Sequence, residues 1–365
     1  MPDVVVIGAG IIGSSLAYRL SQAGATVTIV DRNQPATGTT ASTFAYINAA
    51  TKRPRPYFDL NFAGMAEHAV LRDEIGEAPW RITGGRLLWH KEPRTVAEIT
   101  ELITESVGWG YRAEWLDPAE IARIEPDLRL PDEVQRVVYF PDETAVDAAL
   151  LAKRLLDLAI DRGVETRFGQ PVISFIRRAE RIAGVTLANG EQLTAATVIN
   201  CAGPDADHIA QLAGRHLPLD PIIGLIVHAE LRGGAIARIL ESSGILIRSA
   251  VAGGSELLLQ QVAADAEIEG GEPSAEVAER LLETARHIFP QNSPLVLKSW
   301  TVAVRPMPAD GVSSVGLLPS IPGYGEIVTH SGVTLGPLLG RLVAQEIAGT
   351  IPDPILNAFH PERFA

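Results

Sequence analysis

The sequence predicts an α/β protein made of two interleaved parts. One is a discontinuous Rossmann-type dinucleotide-binding domain. The other is an inserted α+β domain built on a largely antiparallel sheet. Three observations predict this. The apolar run VVVI (Val4–Ile7) leads directly into GAGIIG (Gly8–Gly13) and then into a helical pattern. Helix and strand patterns alternate at both ends of the chain and near its middle, as in α/β layers. Between them lie β-rich stretches such as PIIGLIVHAEL and ELLLQQV. The boundaries expected are 1–85 with 143–215 and 305–365 for the first domain, and 86–142 with 216–304 for the second.

Along the chain, Val4–Ile7 reads as a buried strand and Ile12 to Gln22 as a helix, with Ile12, Leu16 and Leu20 at i, i+4 and i+8. Gly24 is placed to stop it, and Thr26 to Val30 forms the next strand, followed by Asp31. A small-residue loop, Gln34 to Pro54, is long enough to have a function of its own. A helix is expected from Tyr57 to about Gly76, and a strand over Ile82 to His90. Residues 91 to 142 are charged and Pro-rich, with short helical pieces. Ala149 to Gly163 is a strongly amphipathic helix. Asn189-Gly190 marks a hairpin, and Thr197 to Asn200 a buried strand. One helix, Ala275 to Phe289, interrupts the β-rich region. Glu326 to Thr329 is a strand and the last helix starts near Thr334.

Composition narrows the function. At 365 residues the chain suits two connected domains. A net charge of −13 argues against nucleic acid, which needs a basic surface. Cys201 is the single cysteine, so neither an intrachain disulfide nor a cysteine metal site can form, and no metal is expected. The start has no signal-peptide pattern, and no stretch reaches about 18 apolar residues. The expectation is a cytoplasmic enzyme without a membrane span, with an oligomer left open.

Gly8-Ala9-Gly10-Ile11-Ile12-Gly13 fits the dinucleotide fingerprint. The first glycine makes the tight turn, the second admits a pyrophosphate to the backbone, and the third lets helix pack on strand. The helix N-terminus then faces the phosphate charge. Asp31, 18 residues after Gly13, stands where an acid bonds ribose hydroxyls. That acid disfavours a 2′-phosphate, although the adjacent Arg32 keeps NADP open. The fingerprint does not choose between NAD and FAD.

Several blocks, in order, resemble the D-amino-acid oxidase superfamily of flavoproteins, and within it the glycine oxidases, sarcosine oxidases and D-amino-acid dehydrogenases. They are VVVIGAGIIGSSLAYRLSQAGATVTIVDR, the TTAS loop, PYFDLNFAGMAEHAVLRDEIG with ITGGRLLW, ETAVDAALLAKRLLDLAIDRGVETRFGQPV, VINCAGPDA, VRPMPADG and HSGVTLGPLLGRLVAQEIAG. The resemblance implies noncovalent FAD, since no residue matches the His or Cys that some relatives link to flavin. It implies that Gly8, Gly10 and Gly13, with Ile11 and Ile12, lie under the pyrophosphate, and that Asp31 and Arg32 stand at the adenosine. Thr40, Ala41 and Ser42 would line the pyrophosphate and flavin side, and Val172 would meet adenine. Ala202 and Gly203 match a close-approach turn. Gly332, Val333 and Thr334, with the His330 backbone, would meet the flavin ring and ribityl chain.

Independently of the family, HSGVTLGP is a glycine-containing turn that opens a long helix. Its free amides suit the negative charge of a reduced flavin.

The implied reaction is oxidation of a small amino acid or secondary amine. Hydride passes from Cα to flavin N5, leaving an imine that hydrolyses. The electron acceptor would be O2 or a quinone or other electron carrier. Arg305, in VRP, matches the arginine that grips a substrate carboxylate, a task suited to its paired planar donors. No side-chain base is required or named. Tyr46 either faces the flavin or packs in its loop, and Arg248 either lines the pocket or faces solvent. His228 reads as a packed strand histidine and Cys201 as a small buried residue. Two other readings stay open within the flavoproteins: a 2-hydroxy-acid dehydrogenase, and a non-catalytic FAD-binding subunit of a larger complex.

Overall fold

The computed structural model describes residues 3–268 and 275–364, so the Met1-Pro2 start lies outside it. A six-stranded sheet runs in the order Ser314–Leu317, Tyr324–Val328, Thr197–Asn200, Val4–Ile7, Val27–Asp31, Glu165–Phe168. Its neighbours are parallel except the first pair. Val4–Ile7 is an unbroken apolar run because both its faces are covered. Val4 and Val6 pack with the helices Ile11–Gln22, Ala148–Ile160 and Gly332–Ile347. Val5 and Ile7 face the antiparallel meander of Val172–Arg178, Arg181–Leu187 and Gln192–Thr194. The Asn189-Gly190 hairpin closes that meander, with Gly190 at φ +86°.

An eight-stranded sheet takes its strands from two other stretches. The order is Leu295–Arg305, Ile222–Leu231, Glu256–Gln261, Ile245–Ser249, Ile239–Ser242, Arg86–Trp89, Val137–Phe140, Glu114–Leu116. Its pairs are antiparallel except Ile239–Ser242 with Arg86–Trp89. The helix Ala275–Arg286 lays Val277, Leu281 and Ala285 on its core. A small antiparallel sheet of Tyr46–Ile47, Thr144–Val146 and Arg81–Ile82 touches both bodies. Ile82 and Ala145 pack with Ile226 and Ile239 of the large sheet. Thr334 Oγ1, on the last helix, donates to Tyr46 O at 3.1 Å.

Two stretches differ from expectation. Ile82 to His90 is not one strand but Arg81–Ile82 and Arg86–Trp89, broken at Gly84-Gly85. Gly85 sits at φ +82°, and a Cβ there would fall 2.5 Å from the Tyr139 ring. Residues 91–142 hold a 16-residue helix, Pro93–Gly108, besides Pro118–Ile124. The prolines open these helices rather than break them, because a first-turn residue needs no N–H partner. Among the described residues no helix is long and apolar enough to cross a membrane.

Candidate functional site

The C-terminal ends of the parallel strands open onto a cleft of about 730 Å³, within the range of small-molecule and cofactor sites. Its floor is the turn from Val4–Ile7 into the first helix. Gly8 has φ +104°, and a Cβ on it would lie 2.3 Å from Cys201 O. A Cβ on Gly13 would lie 1.8 Å from Gly8 O, so this glycine packs the helix onto the turn and does not line the cleft. Ser14 N–H is the first to bond back, to Gly10 O, so the helix leaves the amides of Ile12 and Gly13 without helical partners. Asp31 holds the turn from the side: Oδ2 accepts from Ala9 N at 2.7 Å and Oδ1 from Asn33 N at 2.8 Å.

The loop after the second strand folds over this turn. Thr40 Oγ1 accepts from Ile11 N at 3.1 Å and lies 3.0 Å from where a Gly10 Cβ would be. Thr39 Oγ1 donates to Val304 O at 2.6 Å, tying the loop to the edge of the large sheet. Ser42, Val172, Ala202 and Gly203 line the same cleft, whereas Ala41 does not. Arg32 and Asp205, both lining it, pair across the rim at 2.6 Å. That pairing engages the one charge that kept NADP open.

At the other end the cleft is lined by His330, Gly332 and Val333, where the last helix begins. The first amide to bond within that helix is Leu335, to Ser331 O. The amides of Gly332, Val333 and Thr334 are therefore the helix's free donors. Thr334 itself turns away: its hydroxyl serves Tyr46 O and Asn48 N. Burial, then Lys52 and Arg305, push the His330 imidazole down to about 3, so it is neutral near pH 7.

Arg305 ends the strand Leu295–Arg305 at the cleft. Its Nη2 donates to Ile223 O at 3.0 Å and to Asp265. Asp265 also accepts from Leu225 N and Gln260 Nε2. The guanidinium lies over Gly224, where a Cβ would be 2.7 Å from Arg305 Nε. Nε is buried without a partner, and Nη1 has none among the described residues. The arginine is thus anchored through one nitrogen, with other donors left for a ligand.

Two expected substrate contacts are corrected. Arg248 neither lines the cleft nor faces solvent. It is 2% exposed and donates to the carbonyls of Phe44, Ser249 and Val146. Burial lowers it to about 10. Tyr46 is also outside the cleft. Its hydroxyl donates to Glu143, which also takes Arg86 Nε at 2.6 Å and Tyr111 Oη at 2.7 Å. Arg86 reaches on to Glu241. Burial raises the Glu143 carboxyl, against the pull of Arg86. His228 is half-buried in its strand, and burial lowers its imidazole. Burial raises the Cys201 thiol and keeps it neutral. Gly224 and Asp265 were not anticipated. A glycine inside an apolar strand is the signal of close approach that marks the first; nothing local marks the second.

The residues present fit a dinucleotide: a turn with no room for Cβ atoms, two helix openings with free amides, and a deep cleft joining them. Comparison with known proteins agrees. A family model described as FAD dependent oxidoreductase matches residues 3–346. Hydrogen cyanide synthase subunit HcnC of Pseudomonas aeruginosa is 26% identical over 411 aligned residues, covering 99% of this chain and 97% of that protein. A D-amino acid dehydrogenase of a Methylobacterium species is 25% identical, covering 99% of each. Among solved structures, glycine oxidase from Geobacillus kaustophilus superposes with a TM-score of 0.87 at 21% identity, covering 100% of this chain and 99% of that one. Iminodiacetate oxidase from Chelativorans gives 0.86 at 24%, covering 98% of each.

Proposed function

Because the chain belongs to the family of FAD-dependent oxidoreductases matched across it, we propose that it oxidises the C–N bond of a small amino acid or secondary amine that carries a carboxylate. The observation that carries this reading is Arg305, an anchored guanidinium with free donors in the same cleft as the glycine turn. FAD, held in this cleft, would supply the two-electron acceptor for the C–N bond, and the imine product would hydrolyse in water. Arg305 binds the substrate carboxylate through Nη1, while Asp265 and Ile223 O keep the guanidinium from following the ligand. Gly8, Gly10 and the amide of Ile12 hold the pyrophosphate, and Asp31 the ribose. The open helix end at Gly332–Thr334 offers positive potential to the reduced cofactor. His330 stays neutral and adds no competing cation.

The cofactor-binding body is 1–85 with 143–215 and 305–365, and the substrate body 86–142 with 216–304. The strand sources of the six- and eight-stranded sheets support this division. The relatives that act on D-amino acids, glycine and iminodiacetate support the substrate class.

An anaerobic titration tests the reading, with the visible flavin band followed against amino acids, N-substituted glycines and 2-hydroxy acids. An amino acid or secondary amine should bleach it. Arg305→Ala should raise KM roughly ten- to hundredfold, the worth of a charge-assisted hydrogen bond. Bleaching by 2-hydroxy acids alone would replace the C–N substrate with an alcohol. A flavin that none of them reduces would point to a non-catalytic subunit of a larger complex; one relative is named as a subunit, of a hydrogen cyanide synthase.

A further inference from the structure

The last helix carries a proline in its first turns. Pro337 lies inside Gly332–Ile347 and has no N–H. In an α-helix the donor to Val333 O is the N–H of residue 337. That carbonyl therefore lacks its helical donor, and it lies at the end of the helix that lines the cleft. The missing donor comes from elsewhere. His68, on the helix Arg55–Ile75, places Nε2 at 2.8 Å from Val333 O. A carbonyl only accepts, so Nε2 carries the proton, and Nδ1 is left unprotonated and buried, with no partner among the described residues. Burial, with Arg81 nearby, pushes the imidazole down to about 4, which keeps this neutral tautomer in place. The same helix grips the turn at two more points. Tyr57 Oη meets Ser331 Oγ at 2.8 Å, and a Cβ on Gly64 would fall 2.7 Å from Thr334 O.

We infer that His68 is a positioning residue for the cofactor: it replaces the hydrogen bond that Pro337 denies Val333 and thereby fixes the peptide between Val333 and Thr334. In a trans peptide the N–H points opposite to the C=O. Holding Val333 O toward His68 keeps the Thr334 N–H aimed at the cleft end of the helix. The free amides there are the positive potential a reduced flavin meets, so His68 tunes the flavin without touching it. This rests on the FAD reading above.

The test compares four chains: parent, His68→Leu, His68→Gln and His68→Leu with Pro337→Ala. The readouts are the midpoint potential of bound FAD, its Kd and hydrogen exchange of amides 332–336. His68→Leu should lower the potential and weaken FAD binding about tenfold. His68→Gln, which keeps an N–H near the Nε2 position, should restore both. So should Pro337→Ala, because residue 337 then supplies the donor itself. A purely structural histidine would show no rescue through residue 337. A potential unchanged in His68→Leu, or a loss that neither rescue repairs, overturns the inference. Hydrogen exchange needs no flavin: if the parent takes up no FAD, the cofactor reading and the tuning role fall together, while faster exchange in His68→Leu alone still shows the bond.

Discussion

At Arg305 a single guanidinium serves both the fold and a ligand, and the atom beneath it decides how well. Gly224→Ala puts a methyl group 2.7 Å from Arg305 Nε. The long side chain can move aside, but it then leaves the place where its free donors converge. KM should rise about tenfold or more while FAD affinity holds, since misplacement of a binding group acts on the substrate alone. Steady-state kinetics beside flavin titration checks this, and an unchanged KM would remove Gly224 from the site. His330 gives a pH prediction. Its folded value of about 3 lies below the unfolded one near 6.5. The stability it supports is full above about pH 6.5 and falls as pH drops toward 3, because the unfolded chain takes up the proton first. Its NMR signals should stay flat from pH 8 to 5; an imidazole titrating near 6.5 contradicts the burial argument. What was legible at this scale was local. Gly8, Gly10, Gly13 and Asp31 announce themselves by spacing. Arg248 and Tyr46 misled because their partners come from far along the chain: Phe44 O and Val146 O for one, Glu143 for the other.

Among elements, the first and last helices approach so closely that a side chain has no room between them. A Cβ on Gly340 would lie 2.8 Å from Ser15 C and 2.9 Å from Leu16 N, both backbone atoms that cannot yield separately. Gly340→Ala should cost about 1–3 kcal/mol by forcing the helices apart. A lower Tm in calorimetry checks it, together with weaker FAD binding, because both helix openings line the cleft. An unchanged Tm would show that the pair slides freely. Strands with turn signals were legible in sequence, as at Asn189-Gly190 and Thr197–Asn200. The helix Pro93–Gly108 is hard to see in the sequence because its proline and charges resemble interruptions, whereas the proline marks its first turn. The break at Gly84-Gly85 answers to the Tyr139 ring from another strand, which no local pattern contains.

For the whole molecule, the alternation of patterns predicted a parallel sheet beside a mostly antiparallel one, and both are present. Their strand orders were not legible, because they depend on contacts across more than a hundred residues. The parallel pairing of Ile239–Ser242 with Arg86–Trp89 is one example. Strand order also matters during synthesis. Thr197–Asn200 receives one neighbour, Val4–Ile7, as soon as it is made. Its other neighbour, Tyr324–Val328, comes more than a hundred residues later. Until then a nascent chain on the ribosome carries an open sheet edge, and the first helix waits with its apolar side for a partner, Gly332–Ile347, made about three hundred residues later. Open edges and bare apolar faces are where chains stick to one another. A chain stopped after residue 310 should therefore emerge insoluble and colourless, as fractionation would show; a soluble yellow fragment would mean that the sheet tolerates its missing strand. Growth of the chain, and not only its final contacts, sets when this protein can first hold its cofactor.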